Sequence, residues 1–273
     1  MNRRDLLRFA FGVPLLAPSV AITLAPPVMA GQEVAQARPP AKKARPPKLV
    51  MIDPGHGGHD PGAIGRYHNT FEKDVVLDIS KEMARLIGRN AGTNVVLTRD
   101  SDTFIELPQR RQMARQAKAD LFISIHADSA PNRNARGLSA YTLAEKASDD
   151  FAAAIAKQEN LAGGLGLDMG DLDENVAAIL VDLAARHTRT AALHAKQSII
   201  SGAGKDIRLL DNPMRAANFA VLKAPEVPSL LIETGFLSNK QDEQLLRDSS
   251  ARKRIAGILA RELSAVLAAA PFA

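Results

Sequence analysis

A chain of 273 residues can hold one large domain or two small ones, and without a single cysteine it cannot be a disulfide-stapled scaffold. Its formal charge of +5 owes much to residues 1–47, so the charge says little about the partners of the folded part.

The chain opens on Asn2-Arg3-Arg4-Asp5-Leu6-Leu7-Arg8, a paired arginine followed by leucines, and continues as an apolar stretch from Phe9 to Leu24. Val28-Met29-Ala30 then offers small or modest side chains where a signal peptidase reads. Charged start, short apolar middle and small-residue end make a secretory signal over residues 1–30, and the paired arginines point to the twin-arginine route. Pro14, Pro18, Pro26 and Pro27 interrupt the run, which falls short of the ~20 apolar residues of a spanning helix. The expectation is therefore cleavage after Ala30, with no lasting membrane span. Residues 31–47 read as a linker, ending in the basic and proline-rich Arg38-Pro39-Pro40-Ala41-Lys42-Lys43-Ala44-Arg45-Pro46-Pro47. Adhesion to an anionic surface is one use for it; a plain solvated spacer explains the same composition.

From Lys48 no second linker interrupts the chain, and 48–273 reads as a single domain. Leu49-Val50-Met51-Ile52 is a buried strand that stops at Asp53-Pro54-Gly55-His56-Gly57-Gly58, a tight turn lifting a histidine off a sheet edge. Glu72 to Asn90 carries Val75, Val76, Ile79, Met83, Leu86 and Ile87 at helical spacing, and Asn94-Val95-Val96-Leu97-Thr98 is the next strand. Strand, helix, strand is a βαβ unit and implies a parallel pair. A helix over Leu107–Lys118, strands over Asp120–Ile125, Gly137–Leu143 and Ser229–Glu233, and a final helix over Ala251–Leu267 complete the pattern. This predicts an α/β fold: a twisted, mostly parallel sheet covered by helices on both faces, with a site at the carboxyl ends of its strands.

Three of those strands end in a chemically capable residue: His56, His126 and Glu233. Glu72 opens the helix after the first strand's long loop and faces the same edge. Two histidines and one carboxylate form the catalytic type of zinc site, with the fourth position left for water. A further carboxylate serves as general base and then general acid. Singly, each histidine is more often an edge residue held by hydrogen bonds than a ligand, Glu72 more often a helix-start charge, and Glu233 could be a buried structural carboxylate. Their convergence on one edge favours the site. His59, the main decoy, and His68, His187 and His194 are read as solvated or structural.

Taken together, Ile52-Asp53-Pro54-Gly55-His56-Gly57-Gly58, Glu72-Lys73-Asp74, Leu97-Thr98-Arg99, Arg110-Arg111, Ser124-Ile125-His126-Ala127-Asp128 and Ile232-Glu233-Thr234-Gly235-Phe236-Leu237-Ser238-Asn239 resemble a known family. It is the zinc-dependent N-acetylmuramoyl-L-alanine amidases of the periplasmic cell-division type. The resemblance implies one zinc ion on His56, Glu72 and His126, with Glu233 as the catalytic glutamate. It also implies peptidoglycan as substrate, cut between the lactyl group of N-acetylmuramic acid and L-alanine, in the periplasm and during septal wall splitting. No nucleic-acid partner is expected. Larger members carry an additional N-terminal wall-binding domain, whereas here only the basic linker precedes the catalytic part.

The stretch 145–204 is long for one crossover. A helix over Lys146–Asn160, the Gly163-Gly164-Leu165-Gly166 break and a second helix from about Asp173 to Ser201 fill it. In the second helix Val176, Ile179, Leu180, Leu183, His187 and His194 share one stripe, which predicts core packing. The resemblance implies that the first helix plugs the metal, with Glu159 as the occluding side chain and Glu145 as second candidate. It further implies an activator protein, a lysostaphin-type endopeptidase domain that has lost its own metal. Two other functions fit parts of the pattern: a zinc peptidase acting within the stem peptide, and a non-catalytic wall-binding module. The low aromatic content, 4% with no tryptophan, speaks against the latter.

Overall fold

The computed structural model describes residues 46–90, 92–162 and 177–272, with the side chains of 177–185 left aside. The expected signal segment, most of the linker and the Gly163–Gly166 break lie outside the described residues. Six strands form one sheet: β1 (Lys48–Pro54), β2 (Thr93–Leu97), β3 (Leu121–His126), β4 (Leu138–Leu143), β5 (Leu209–Ala217) and β6 (Ser229–Glu233). Their spatial order is β2-β1-β3-β6-β4-β5. The pairs β1–β2, β1–β3 and β3–β6 are parallel, while β4 runs antiparallel to β6 and carries β5 with it.

Among the described residues six α-helices cover the sheet: α1 (Glu72–Ile87), α2 (Leu107–Gln116), α3 (Asp150–Ala162), α4 (Ala177–Ala203), α5 (Lys240–Arg247) and α6 (Ser249–Leu267). Alternation along the strands decides which side chain meets which layer. Val50 and Ile52, Leu121, Ile123 and Ile125, and Leu230 and Ile232 pack with α1, α4 and α6 on one face. Met51, Phe122, Leu231 and Tyr141 pack with α2, α3 and a short 3-10 turn at Ala220–Leu222 on the other. The same parity sends Asp53, Ser124, His126 and Glu233 towards the α2–α3 face, all at the carboxyl ends of β1, β3 and β6. None of the helices among the described residues is long and apolar enough to cross a membrane.

Three expectations need correction. The strand β5 was not foreseen: Leu-Leu-Asp-Asn-Pro-Met carries Asn212 at φ 57°, a register shift against β4 and Pro213, all tolerated because β5 is an edge strand. Helix α3 starts at Asp150 rather than Lys146, because Ser148 N–H pairs with Ala216 O and the Asp149 carboxylate caps Ala152 N–H at 2.8 Å. On α4, His187 and His194 are exposed. The buried stripe is Ala191, Ala195, Ile199 and Ile200, so it is rotated around the helix from the line that the histidine spacing implies. The remaining members of the expected stripe lie outside the side chains described.

Candidate metal centre

The Pro-Gly-His turn places the first imidazole. After β1, Gly55 N–H pairs with Ile125 O, and His56 takes a left-handed backbone (φ 58°) closed by mutual Gly57–Asp60 hydrogen bonds. The Asp60 carboxylate bonds His56 Nδ1 at 2.8 Å and accepts Gly62 N–H at 3.0 Å. A proton on Nδ1 leaves Nε2 as a bare lone pair, and that buried nitrogen has no hydrogen-bond partner. Gly62 is required by space: a Cβ there would lie 2.5 Å from the His56 ring and 2.7 Å from the Glu72 carboxylate.

Glu72, the first residue of α1, is fully buried. Its oxygens accept Ala63 N–H at 2.8 Å and Ala127 N–H at 2.7 Å, which aims the carboxylate between the two histidines. They lie 3.2 Å from His56 Nε2 and 3.1 Å from His126 Nδ1. The outward nitrogen of His126, Nε2, is 3.1 Å from Ser124 Oγ, which donates to Asp53 at 2.7 Å. Each imidazole is thus oriented through the nitrogen that faces away from the centre.

Two arginines grip the turn from behind. Arg110 donates to Asp53 at 2.9 Å and to the carbonyls of Pro54 and His56 at 2.8 and 2.7 Å. Arg99 donates to Gly55 O at 2.6 Å and to Pro54 O at 2.9 Å. Burial alone would raise the Asp53 carboxyl, but Arg110, Thr98 and Ser124 hold it below the ordinary range.

The fourth group comes from α3. Glu159 Oε2 lies 2.9 Å from His126 Nδ1 and 3.5 Å from His56 Nε2. Its neighbours dock the same helix: Gln158 donates to Asp128, and Asn160 bonds Asn218 O at 2.8 Å and accepts Ala220 N–H at 2.7 Å. Ligand atoms of His56, Glu72, His126 and Glu159 all fall within 4.8 Å of one another, and all four residues are buried. The space beside them, bordered by Asp53, Phe104, Arg110 and Glu159, measures ≈ 10 Å³. That holds about one water and no substrate.

The charges fit a cation at the centre. Burial alone would lower both imidazoles, yet Glu72 and Glu159 outweigh it and raise His56 and His126 well above the ordinary value. Burial would raise the two carboxyls, and the imidazoles instead hold Glu72 well below the usual range and Glu159 at about 2. Two imidazole nitrogens, one of them the unpartnered His56 Nε2, and the Glu72 carboxylate make a donor set that could hold a divalent metal, with Glu159 reaching a fourth position. Glu233 stands apart from this set. It is fully buried, accepts Asp128 N–H at 3.0 Å through Oε2, and leaves Oε1 without a partner. Burial pushes its carboxyl up to about 8.

A model of the family described as Amidase_3, N-acetylmuramoyl-L-alanine amidase, matches residues 50–265. The chain belongs to this amidase family. It is 40% identical over 225 residues to the N-acetylmuramoyl-L-alanine amidase AmiA of Escherichia coli K12, covering 82% of this chain and 77% of that one. It is 36% identical over 233 residues to AmiC of Escherichia coli O6:H1, covering 85% of this chain but 54% of that one. The chain therefore spans about half the length of AmiC. Among solved structures, the amidase AmiC2 of Nostoc punctiforme aligns with a TM-score of 0.55 at 28% identity, covering 81% of this chain and 98% of that one. An amidase of Clostridium difficile 630 shares the fold with a TM-score of 0.59 at 24% identity, covering 83% and 100%.

Of the residues singled out in sequence, the fold brings His56, Glu72, His126 and Glu159 together and sets Glu233 beside them. Glu145 does not join: it is exposed, because the chain leaves β4 there before α3 begins. His59 is also exposed and stacks on Phe104 with ring centroids 4.2 Å apart, so the decoy is excluded from the centre. Sequence reasoning missed Asp60 and the Ser124–Asp53 relay as orienting groups. The spacing of Asp60, four residues after His56, was the available signal.

Proposed function

We propose that this amidase hydrolyses peptidoglycan at the amide joining the lactyl group of N-acetylmuramic acid to L-alanine. The observation that carries the reading is the convergence of His56, Glu72 and His126 beside the unpaired oxygen of Glu233, on a chain whose family model spans residues 50–265. His56, Glu72 and His126 would hold one zinc ion. When bound, zinc supplies Lewis acidity, which lowers the pKa of water and polarises a carbonyl. Glu233 takes a proton from the attacking water at its free Oε1 and passes it to the amine nitrogen as the C–N bond breaks, leaving a lactyl carboxylate and a free stem peptide.

Docking of α3 through Gln158, Glu159 and Asn160 supports an autoinhibited state, in which Glu159 fills the exchangeable position. A degenerate lysostaphin-type endopeptidase domain would release it. Residues 1–30 serve as an export signal and 31–47 as a linker, so the enzyme works in the periplasm on septal wall. Mass spectrometry of digested muropeptides tests the chemistry: intact stem peptides freed from glycan are expected. Shortened peptides still attached to sugar would instead establish a zinc peptidase acting within the stem.

A further inference from the structure

Helix α5 lies outside the metal centre, yet it carries a fully buried carboxylate, Glu243. Its partners are on the loop between the two ligand-bearing segments. Glu243 accepts Tyr67 N–H at 2.9 Å, His68 N–H at 2.8 Å and the Thr70 hydroxyl at 3.1 Å. The loop folds over it as a short ladder. Gly65 N–H pairs with Thr70 O at 2.7 Å, Ile64 bridges Phe71, and Glu72 N–H pairs with Ala63 O at 3.0 Å. The last rung is the metal centre itself, since Ala63 N–H returns to the Glu72 carboxylate at 2.8 Å. One residue earlier, Gly62 N–H holds Asp60, which orients His56. Gly65 leaves no room for a side chain on the side of the staple: a Cβ there would lie 2.1 Å from Glu243 Oε1.

We propose that Glu243 is a positioning residue for the metal ligands, setting through the loop Gly62–Phe71 where the Glu72 carboxylate meets the His56 imidazole. The proposal rests on the reading of His56 and Glu72 as ligands. A loop of this length with an exposed Tyr67 and Phe71 gains little rigidity from its own surface contacts, so the three hydrogen bonds to one buried acceptor fix its path. Replacing Glu243 by Gln keeps one acceptor oxygen and sets an NH2 against a backbone N–H. Replacing Gly65 by Ala pushes the carboxylate out of its cradle without touching it chemically. Thr70→Val removes one donor only.

The test is the zinc dissociation constant by chelator competition on the purified chain, with cobalt absorption spectra of the same variants and melting of each in excess chelator. Thr70→Val is expected to weaken zinc a few-fold. Glu243→Gln and Gly65→Ala are expected to weaken it roughly 10- to 100-fold and to change the cobalt spectrum, as losses behind a metal ligand do. Zinc affinities within twofold of wild type in both, with only the melting temperature lowered, would reduce Glu243 to a structural staple and overturn the proposal. Wild-type protein that binds no zinc would overturn the ligand reading instead.

Discussion

His126 and Glu233 are register partners, paired side by side at the last position of the parallel strands β3 and β6. Their side chains emerge on the same face of the sheet, so one strand end delivers the proposed nitrogen ligand and its neighbour the proposed catalytic carboxylate. The division of labour predicts the phenotype of Glu233→Gln. Zinc content should stay at one per chain while turnover falls roughly 10²- to 10⁴-fold. Metal analysis alongside stem-peptide release checks this, and loss of zinc in the variant would move Glu233 into the ligand set.

Glu159 and Gln158 fasten α3 over the centre by two different contacts, one to the histidines and one to Asp128. Glu159→Ala should raise activity in the absence of any activator, and combining it with Gln158→Ala should raise it further. Peptidoglycan dye-release by the purified variants measures this directly. Unchanged basal activity in the double variant would show that α3 is no plug.

The pair Arg110–Asp53 is buried and closes at 2.9 Å behind the ligand turn. Arg110→Ala leaves Asp53 charged and unpaired and frees the carbonyls of Pro54 and His56. A loss of about 3–5 kcal/mol in unfolding free energy is expected, as for other buried pairs broken on one side. Chemical denaturation with chelator present isolates this effect from metal binding. A loss under 1 kcal/mol would mean the turn is held elsewhere.

Lys196 on α4 is buried and donates to Thr142 Oγ1 at 2.9 Å and Arg215 O at 2.7 Å. Burial lowers its amine to about 8. The unfolded chain keeps the proton up to the ordinary lysine range, so between those limits it binds more protons than the folded one. Stability contributed by this site therefore rises as pH increases from 8 towards 10.5, while the neutral amine still makes both hydrogen bonds. Relative to Lys196→Met, the wild type should gain on the order of 2 kcal/mol across that window. Parallel denaturation curves at pH 7.5 and 10 test it, and a constant difference would contradict the shift.

Much of this was legible in sequence because strong local signals and chemistry coincide at the strand ends. Apolar runs stopping at His56, His126 and Glu233 gave the strands, their common edge and the first candidate ligands together. Glu72 was reachable from its place at the start of the helix that follows the first strand's loop, whereas Glu159 was reachable only once the family resemblance was added, since an acid on an alanine-rich helix is ordinary by itself. What escaped detection is polar or irregular. The edge strand β5 hides behind Asp211, Asn212 and Pro213, and its pairing is set by β4 rather than by propensity. Helix α5 is eight residues of mostly polar sequence, betrayed only by Asn239, whose side chain caps Gln241 and Asp242 N–H. Asp60, Asp53 and Ser124 act through groups far away in sequence or in turns, which no periodicity reports.

The most direct measurement is a zinc-edge anomalous difference map from crystals of the mature chain. One peak per chain is expected, bonded at about 2.0–2.2 Å to His56 Nε2, His126 Nδ1 and a Glu72 oxygen. A map with no peak between the two imidazoles, or with zinc held by His59 or other surface groups, would contradict this assignment.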